Sequence, residues 1–126
     1  MDFSERLDLY LQGGMINSDD VADINAILKM FEDEYGVVLT EENADSFIAH
    51  LCAAYFRNKT GESVGGLPED VKNQLLGLDT YKQSLEILDK LISVTHNPLS
   101  DVEKDYALLH INNLIERFKQ DNLWKN

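Results

Sequence analysis

The chain is short of positive charge. Eleven Lys and Arg face 23 Asp and Glu, for a net charge of −12. No basic cluster occurs, and the acidic excess lies mostly in residues 1–63. Direct nucleic-acid binding draws much of its affinity from Lys and Arg neutralising phosphates, so none is expected here. Acidity of this kind maintains solubility and can complement a basic protein partner. Long apolar runs are also missing. Nothing approaches the roughly 20 residues that cross a bilayer, and Met1 to Arg6 shows no basic start leading into an apolar stretch. The expectation is a cytoplasmic protein with no membrane contact. A single cysteine, Cys52, excludes an internal disulfide and suits a reducing compartment. There is no His-x-x-x-His or Cys-x-x-Cys spacing, so no metal or cofactor is expected. Gly13-Gly14 and Gly65-Gly66 lack the flanks of a phosphate-binding loop and read as turns. No nucleophile–base–oxyanion constellation is visible, and an enzyme is not expected.

What is present is one domain's worth of helix. The 126 residues are 44% hydrophobic and 27% charged, ordinary for a globular chain with a real core. No alternating run argues a buried strand. A short helix from Asp2 to about Gln12 stops at Gly13-Gly14. Asn17 or Ser18 caps the next helix, with Asp19, Asp20 and Asp23 complementing its dipole and Gly36 ending it. Its stripe is Val21, Ile24, Ile27, Leu28 and Phe31. Thr40 caps a third helix whose stripe is Ala44, Phe47, Ile48, Leu51 and Tyr55. Pro68 opens a short helix interrupted at Gly77. Asp79 or Thr80 starts the next, with Leu85, Leu88, Leu91 and Ile92 as core. Ser100 and Glu103 form a capping box for the last, whose apolar face is Ala107, Leu108, Ile111, Leu114, Ile115 and Phe118. Short links and one-sided stripes predict an all-α bundle of antiparallel helix pairs. Residues 121–126 are expected to fray unless Trp124 pins them.

Two histidines stand at the edges of these stripes. His50 lies about 115° from the centre of its helix's apolar face, and His110 about 100° from the centre of its own. Such a position holds the ring still while leaving a nitrogen near water. Metal ligation, acid–base chemistry and phosphoryl acceptance all use that combination. Arg57, two turns beyond His50, points to the same side and is a candidate partner for a phosphate or a carboxylate. Asp45, Glu103 and Asp105 are candidates for making an added phosphate unfavourable. His96, before Asn97-Pro98, reads as a solvent-exposed loop residue, and Cys52 as packed.

The two histidine contexts resemble the PTS-regulation domains of bacterial sugar-responsive transcription regulators and antiterminators. His50, Leu51, Ala54 and Arg57 match the family's first segment. Glu103, Tyr106, His110 and Ile111 match its second. Ile24-Asn25 and residues 34–40, Glu-Tyr-Gly-Val-Val-Leu-Thr, resemble its approach to the first histidine helix. The resemblance covers roughly residues 16–120, with 1–15 as an added helix or linker and 121–126 as a tail. It implies a five-helix bundle in which the two histidine helices pack antiparallel and bring His50 and His110 together. It also implies that both accept phosphoryl groups from the sugar phosphotransferase system, donated by its general phosphocarrier or a sugar-specific component. Phosphorylation in that family shifts dimer packing, so a homodimer is implied as well. The usual nucleic-acid-binding module has no counterpart here, and a free-standing copy would act through a protein target.

The function expected is therefore a phosphorylation-responsive regulatory module. The alternative is a helical interaction or dimerisation protein without phosphorylation, with Phe3, Leu7, Tyr10 and Leu11 as its exposed apolar patch. A four-helix phosphotransfer intermediate of the two-component type is disfavoured, since neither histidine is followed by its Lys and Gly.

Overall fold

The computed structural model describes residues 2–124. Six helices form among them, and no strand: α1 (Ser4–Gln12), α2 (Ser18–Tyr35), α3 (Glu41–Thr60), α4 (Glu69–Leu76), α5 (Tyr81–Val94) and α6 (Asp101–Gln120). The protein is an all-α bundle. Local chemistry sets most helix ends. At α2 the Asn17 side chain accepts from the Asp20 N–H, and the Asp20 carboxylate accepts from the Asn17 N–H, both at 2.9 Å. This reciprocal cap satisfies two donors that a first turn leaves free. Gly36 ends α2 at φ 69°, a left-handed conformation open to glycine without steric cost. At α3 the Thr40 N–H donates to Asn43 Oδ1 at 2.8 Å. That helix kinks at Ala44, whose φ −137° and ψ 20° are non-helical.

The four long helices close into a ring. Asp20 of α2 meets Lys59 of α3, and Asp23 of α2 meets the segment after α5. Arg57 and His50 of α3 meet Glu103 and His110 of α6 respectively. Thr80 and Ser84, at the start of α5, meet Asn112 of α6. Residue numbers rise on one helix as they fall on its neighbour, so each adjacent pair runs antiparallel. Ile24, Ile27, Phe31, Ile48, Leu51, Ile87, Leu91, Ile111 and Ile115 fill the centre with no more than 0% of their surface exposed. Removing that much apolar surface from water is the main force holding the ring.

Three expectations need correction. First, Leu85 and Ile92 are 36% and 39% exposed, so they are not core. The inward face of α5 is Ser84, Ile87, Leu88 and Leu91. Ser84 is tolerated inside because its hydroxyl donates to Thr80 O at 3.0 Å and reaches Asn112 Oδ1 at 3.3 Å. That satisfied serine turns the face by one residue. Second, Phe3 and Leu7 are 1% and 3% exposed and belong to the main core. They therefore cannot form a free apolar patch, and only Leu11 of the proposed four is exposed at its surface, with Tyr10 packing partly against the core. Third, the Ser100 box is half made. Ser100 Oγ accepts from the Glu103 N–H at 3.2 Å, but the Glu103 carboxylate turns across to Arg57 instead of back to its own helix.

The connection between α3 and α4 is anchored where Tyr106 donates its hydroxyl proton to Gly65 O at 2.9 Å. Trp124 packs its ring on Tyr35 at 5.3 Å and on Phe118 at 6.3 Å, and its indole N–H reaches Gln83 Oε1. The tail is thus pinned as far as Trp124. The expected fraying of 125–126 and the extreme start of the 1–15 segment lie outside the described residues.

Candidate functional site

The antiparallel run of α3 against α6 places His50 beside His110. Their ring centroids are 5.0 Å apart, with planes 26° from parallel. Tyr106, one turn before His110, lies with its ring 5.8 Å from that of His50 and tilted 38° to it. On α3 the seven-residue step from His50 to Arg57 keeps both side chains on the α6 side. On α6 the same spacing joins Glu103 to His110. Each helix thus contributes a histidine and one partner of an ion pair.

Arg57 and Glu103 meet as a fork. Arg57 Nε donates to Glu103 Oε2 at 2.9 Å, and the terminal Nη2 donates to Oε1 at 3.0 Å. Glu103 is 5% exposed, and this bidentate partner offsets the cost of burying it. Glu103 Oε1 also lies 3.4 Å from His50 Nε2. That contact is long, and neither ring nitrogen of His50 completes a hydrogen bond of ordinary geometry, although both are sealed from solvent. Buried polar atoms in native proteins nearly always have partners. A buried imidazole with both nitrogens bare marks the seam as unusual.

Both rings are neutral near pH 7. Burial pushes His50 below the ordinary histidine value; Glu103 pulls it back up, and Arg57 presses it down. Burial pushes His110 down to about 4, and the neighbouring His50 adds to the shift. A neutral imidazole keeps a lone pair on one nitrogen and can act as nucleophile or base. The Glu103 carboxylate beside His50 Nε2 favours the proton on that nitrogen, which would leave the lone pair on Nδ1.

Of the acids singled out from sequence, only Glu103 faces the pair. Asp105 turns to Lys72 at 3.4 Å, and Asp45 pairs with Arg6. Arg57 holds a carboxylate, the second of its two expected partners. The His96 ring is 94% exposed, as a loop residue's should be, yet its backbone is not idle. The His96 and Asn97 N–H groups both donate to the Asp23 carboxylate, at 3.0 and 2.8 Å. Asn97 Nδ2 bridges Asp20 and Asp23 at 2.9 and 2.8 Å. Asp20 and Asp23 are 2% and 1% exposed, where dipole complementation alone would have left them in water. The sequence signal was the spacing: Asp20, Asp23, Ile24 and Ile27 share one helical face. Cys52 is buried, and its thiol is pushed up to about 12 by desolvation, so it is inert.

No group of three or more His, Cys, Asp or Glu among the described residues is arranged to hold a metal ion. No helix among them is long and apolar enough to cross a membrane. No family model, curated protein or solved structure matches the chain.

Proposed function

We propose that this chain is a phosphorylation-responsive regulatory module. In this reading the His50–His110 pair accepts phosphoryl groups from a phosphohistidine donor of the sugar phosphotransferase system, either its general phosphocarrier or a sugar-specific component. The observation that carries the reading is the stacking of two neutral imidazoles across the α3–α6 seam, next to an Arg–Glu fork. A phosphoryl group there would bring roughly two negative charges and several acceptor oxygens. It would repel Glu103 and compete for Arg57, so the pair that ties α3 to α6 would weaken when the seam is charged. A local charge change would thereby become a change in helix packing, which a bound protein target, or a second copy of the chain, could sense. Incubation with phosphoenolpyruvate and the general phosphotransferase proteins tests this. Acid-labile phosphate on the chain is the expected result; its absence, where a known regulator is labelled, would contradict the proposal.

A second reading has its own observation. Leu85 and Ile92 lie seven residues apart on α5 and are 36% and 39% exposed. Heptad-spaced apolar residues on an outer face favour helix pairing between chains. A protein that works by association alone would use this stripe and need no phosphate. Light scattering on Leu85→Lys/Ile92→Lys separates the two: loss of a dimer with phosphate acceptance intact assigns the stripe to assembly only.

A further inference from the structure

His50 and His110 are not equivalent. Both ring nitrogens of His50 are sealed inside the bundle. A donor cannot reach them while α3 and α6 stay packed. His110 instead borders an open cleft of about 290 Å³ between the start of α3 and the outer face of α6. Asn113 and Arg117 line the same cleft. With His110 they occupy positions i, i+3 and i+7, one face of the helix. Arg117 thus shares this cleft with His110, two helical turns apart on one face.

The two arginines differ in the same sense. Arg57 is committed to Glu103 through two hydrogen bonds. Arg117 is exposed, and its guanidinium makes no ion pair or hydrogen bond among the described residues. Of the two acids at the cleft, Asp45 is already paired with Arg6, and Glu42 sits on the exposed rim. The α3 backbone restarts its helix after the kink at Ala44, and that restart also borders the cleft. The positive end of a helix dipole favours a nearby anion. This one cavity therefore holds an accessible nucleophile, an uncommitted guanidinium and an amide on a single helix face.

We infer that His110 is the acceptor a donor reaches, and that Arg117, with Asn113 beside it, is the positioning group for the phosphoryl oxygens. His50 and the Arg57–Glu103 fork stand behind His110 as its support. The inference rests on the phosphoacceptor reading above. In the transfer, the lone pair of the unprotonated His110 nitrogen forms the new N–P bond. The N–P bond of the donor phosphohistidine breaks, and its electron pair returns to the donor ring. Each imidazole keeps the N–H on its other nitrogen, so no net proton moves. Arg117 acts by holding oxygens in line, as guanidinium forks do for phosphate.

The test compares phosphorylation of the native chain, His50→Gln, His110→Gln, Arg117→Gln and Arg117→Lys. Two donors are used: phosphoramidate as a small probe, and phosphoenolpyruvate with the phosphotransferase proteins. Intact mass gives the rate, and peptide mapping of the labelled native chain gives the site without relying on any variant. The expected outcome is one phosphoryl group, on His110, with His50→Gln still labelled and His110→Gln not. Arg117→Gln should slow labelling roughly tenfold, with Arg117→Lys restoring most of the rate. Circular dichroism of the Arg117 variants should be unchanged, since the side chain is on the surface. Label mapping to His50, or an unchanged rate in Arg117→Gln, overturns the inference and leaves the regulatory reading standing. No label on the native chain from either donor overturns both.

Discussion

Two of the polar centres buried in this bundle are built in opposite ways. At the α2 end, Asp20 and Asp23 are nearly sealed, and each carboxylate is surrounded by donors. Asp20 accepts from the Asn17 N–H, Asn97 Nδ2 and Lys59, while Asp23 accepts from the His96 N–H, the Asn97 N–H and Asn97 Nδ2. At the α3–α6 seam, only the Arg57–Glu103 fork is complete, and the imidazole beside it has no full partner. A saturated buried network rigidifies the structure around it. An unsaturated one costs stability and persists where something else uses it. The first centre is a clamp that fixes the turn between α5 and α6 to α2. The second is a site held ready by its neighbours.

The comparison breaks most visibly at Asp23. Asp23→Ala strands the His96 and Asn97 N–H groups and should cost about 3 kcal/mol in urea unfolding. An effect as small as that of a surface substitution would show that the clamp is not structural. Arg57→Gln should cost less, about 2 kcal/mol, because the guanidinium is 22% exposed and water replaces part of what the fork loses. It should also raise the His50 pKa, since Arg57 opposes protonation of that ring. A proton titration followed by NMR checks the direction.

The two centres should also separate by pH. Burial acts to raise the Asp23 carboxyl, but donors from Asn97 and His96 outweigh it and hold the group below its ordinary value. Asp20 is lowered in the same way, with Lys59 leading the opposition to burial. Their stability is fully present above the ordinary carboxylate value of 3.8 and is lost as pH falls through the lowered folded values. The histidines act in a higher window. His110 has a folded value of about 4 against an ordinary 6.5. Between those values the unfolded chain binds the proton more readily, so stability falls as pH drops from 6.5 toward 4. Melting curves of His110→Gln should lose part of that slope, the remainder belonging to His50, and keep the acidic one. A slope unchanged between 4 and 6.5 would place the titration elsewhere. The smallest effect belongs to Tyr55→Phe. The Tyr55 hydroxyl is buried without a hydrogen-bond partner, so its removal should be neutral or stabilising by up to about 1 kcal/mol. A clear loss of stability would reveal a bonded hydroxyl.

Sequence made the local decisions legible and left the cross-helix ones hidden. Asn17, Gly36 and Thr40 are readable as helix ends because each acts within a few residues of itself. The α3 stripe was readable because all of its members are large and apolar. Ser84 was not, since its inward position depends on Asn112, 28 residues later. Glu103 was read as a capping-box acid because its spacing from Ser100 fits, while its partner across the bundle lies 46 residues away. The Asp20–Asp23 clamp is hidden for the same reason: apart from the local Asn17 cap, its donors come from Lys59, His96 and Asn97, all distant in sequence. The histidine pair was anticipated only through the paired contexts of His50 and His110, and Arg117 went unnoticed because it matches neither context.

Two neutral imidazoles sharing the α3–α6 seam are the centre of the proposed site, and an NMR pH titration of the histidine rings tests them most directly. The predicted result is that both rings titrate below the ordinary histidine value of 6.5, His110 at about 4, and that the titration of His110 moves upward when His50 is replaced by Gln, since His50 contributes to its depression. Independent titration of both rings near 6.5, unaffected by replacing either one, would contradict it.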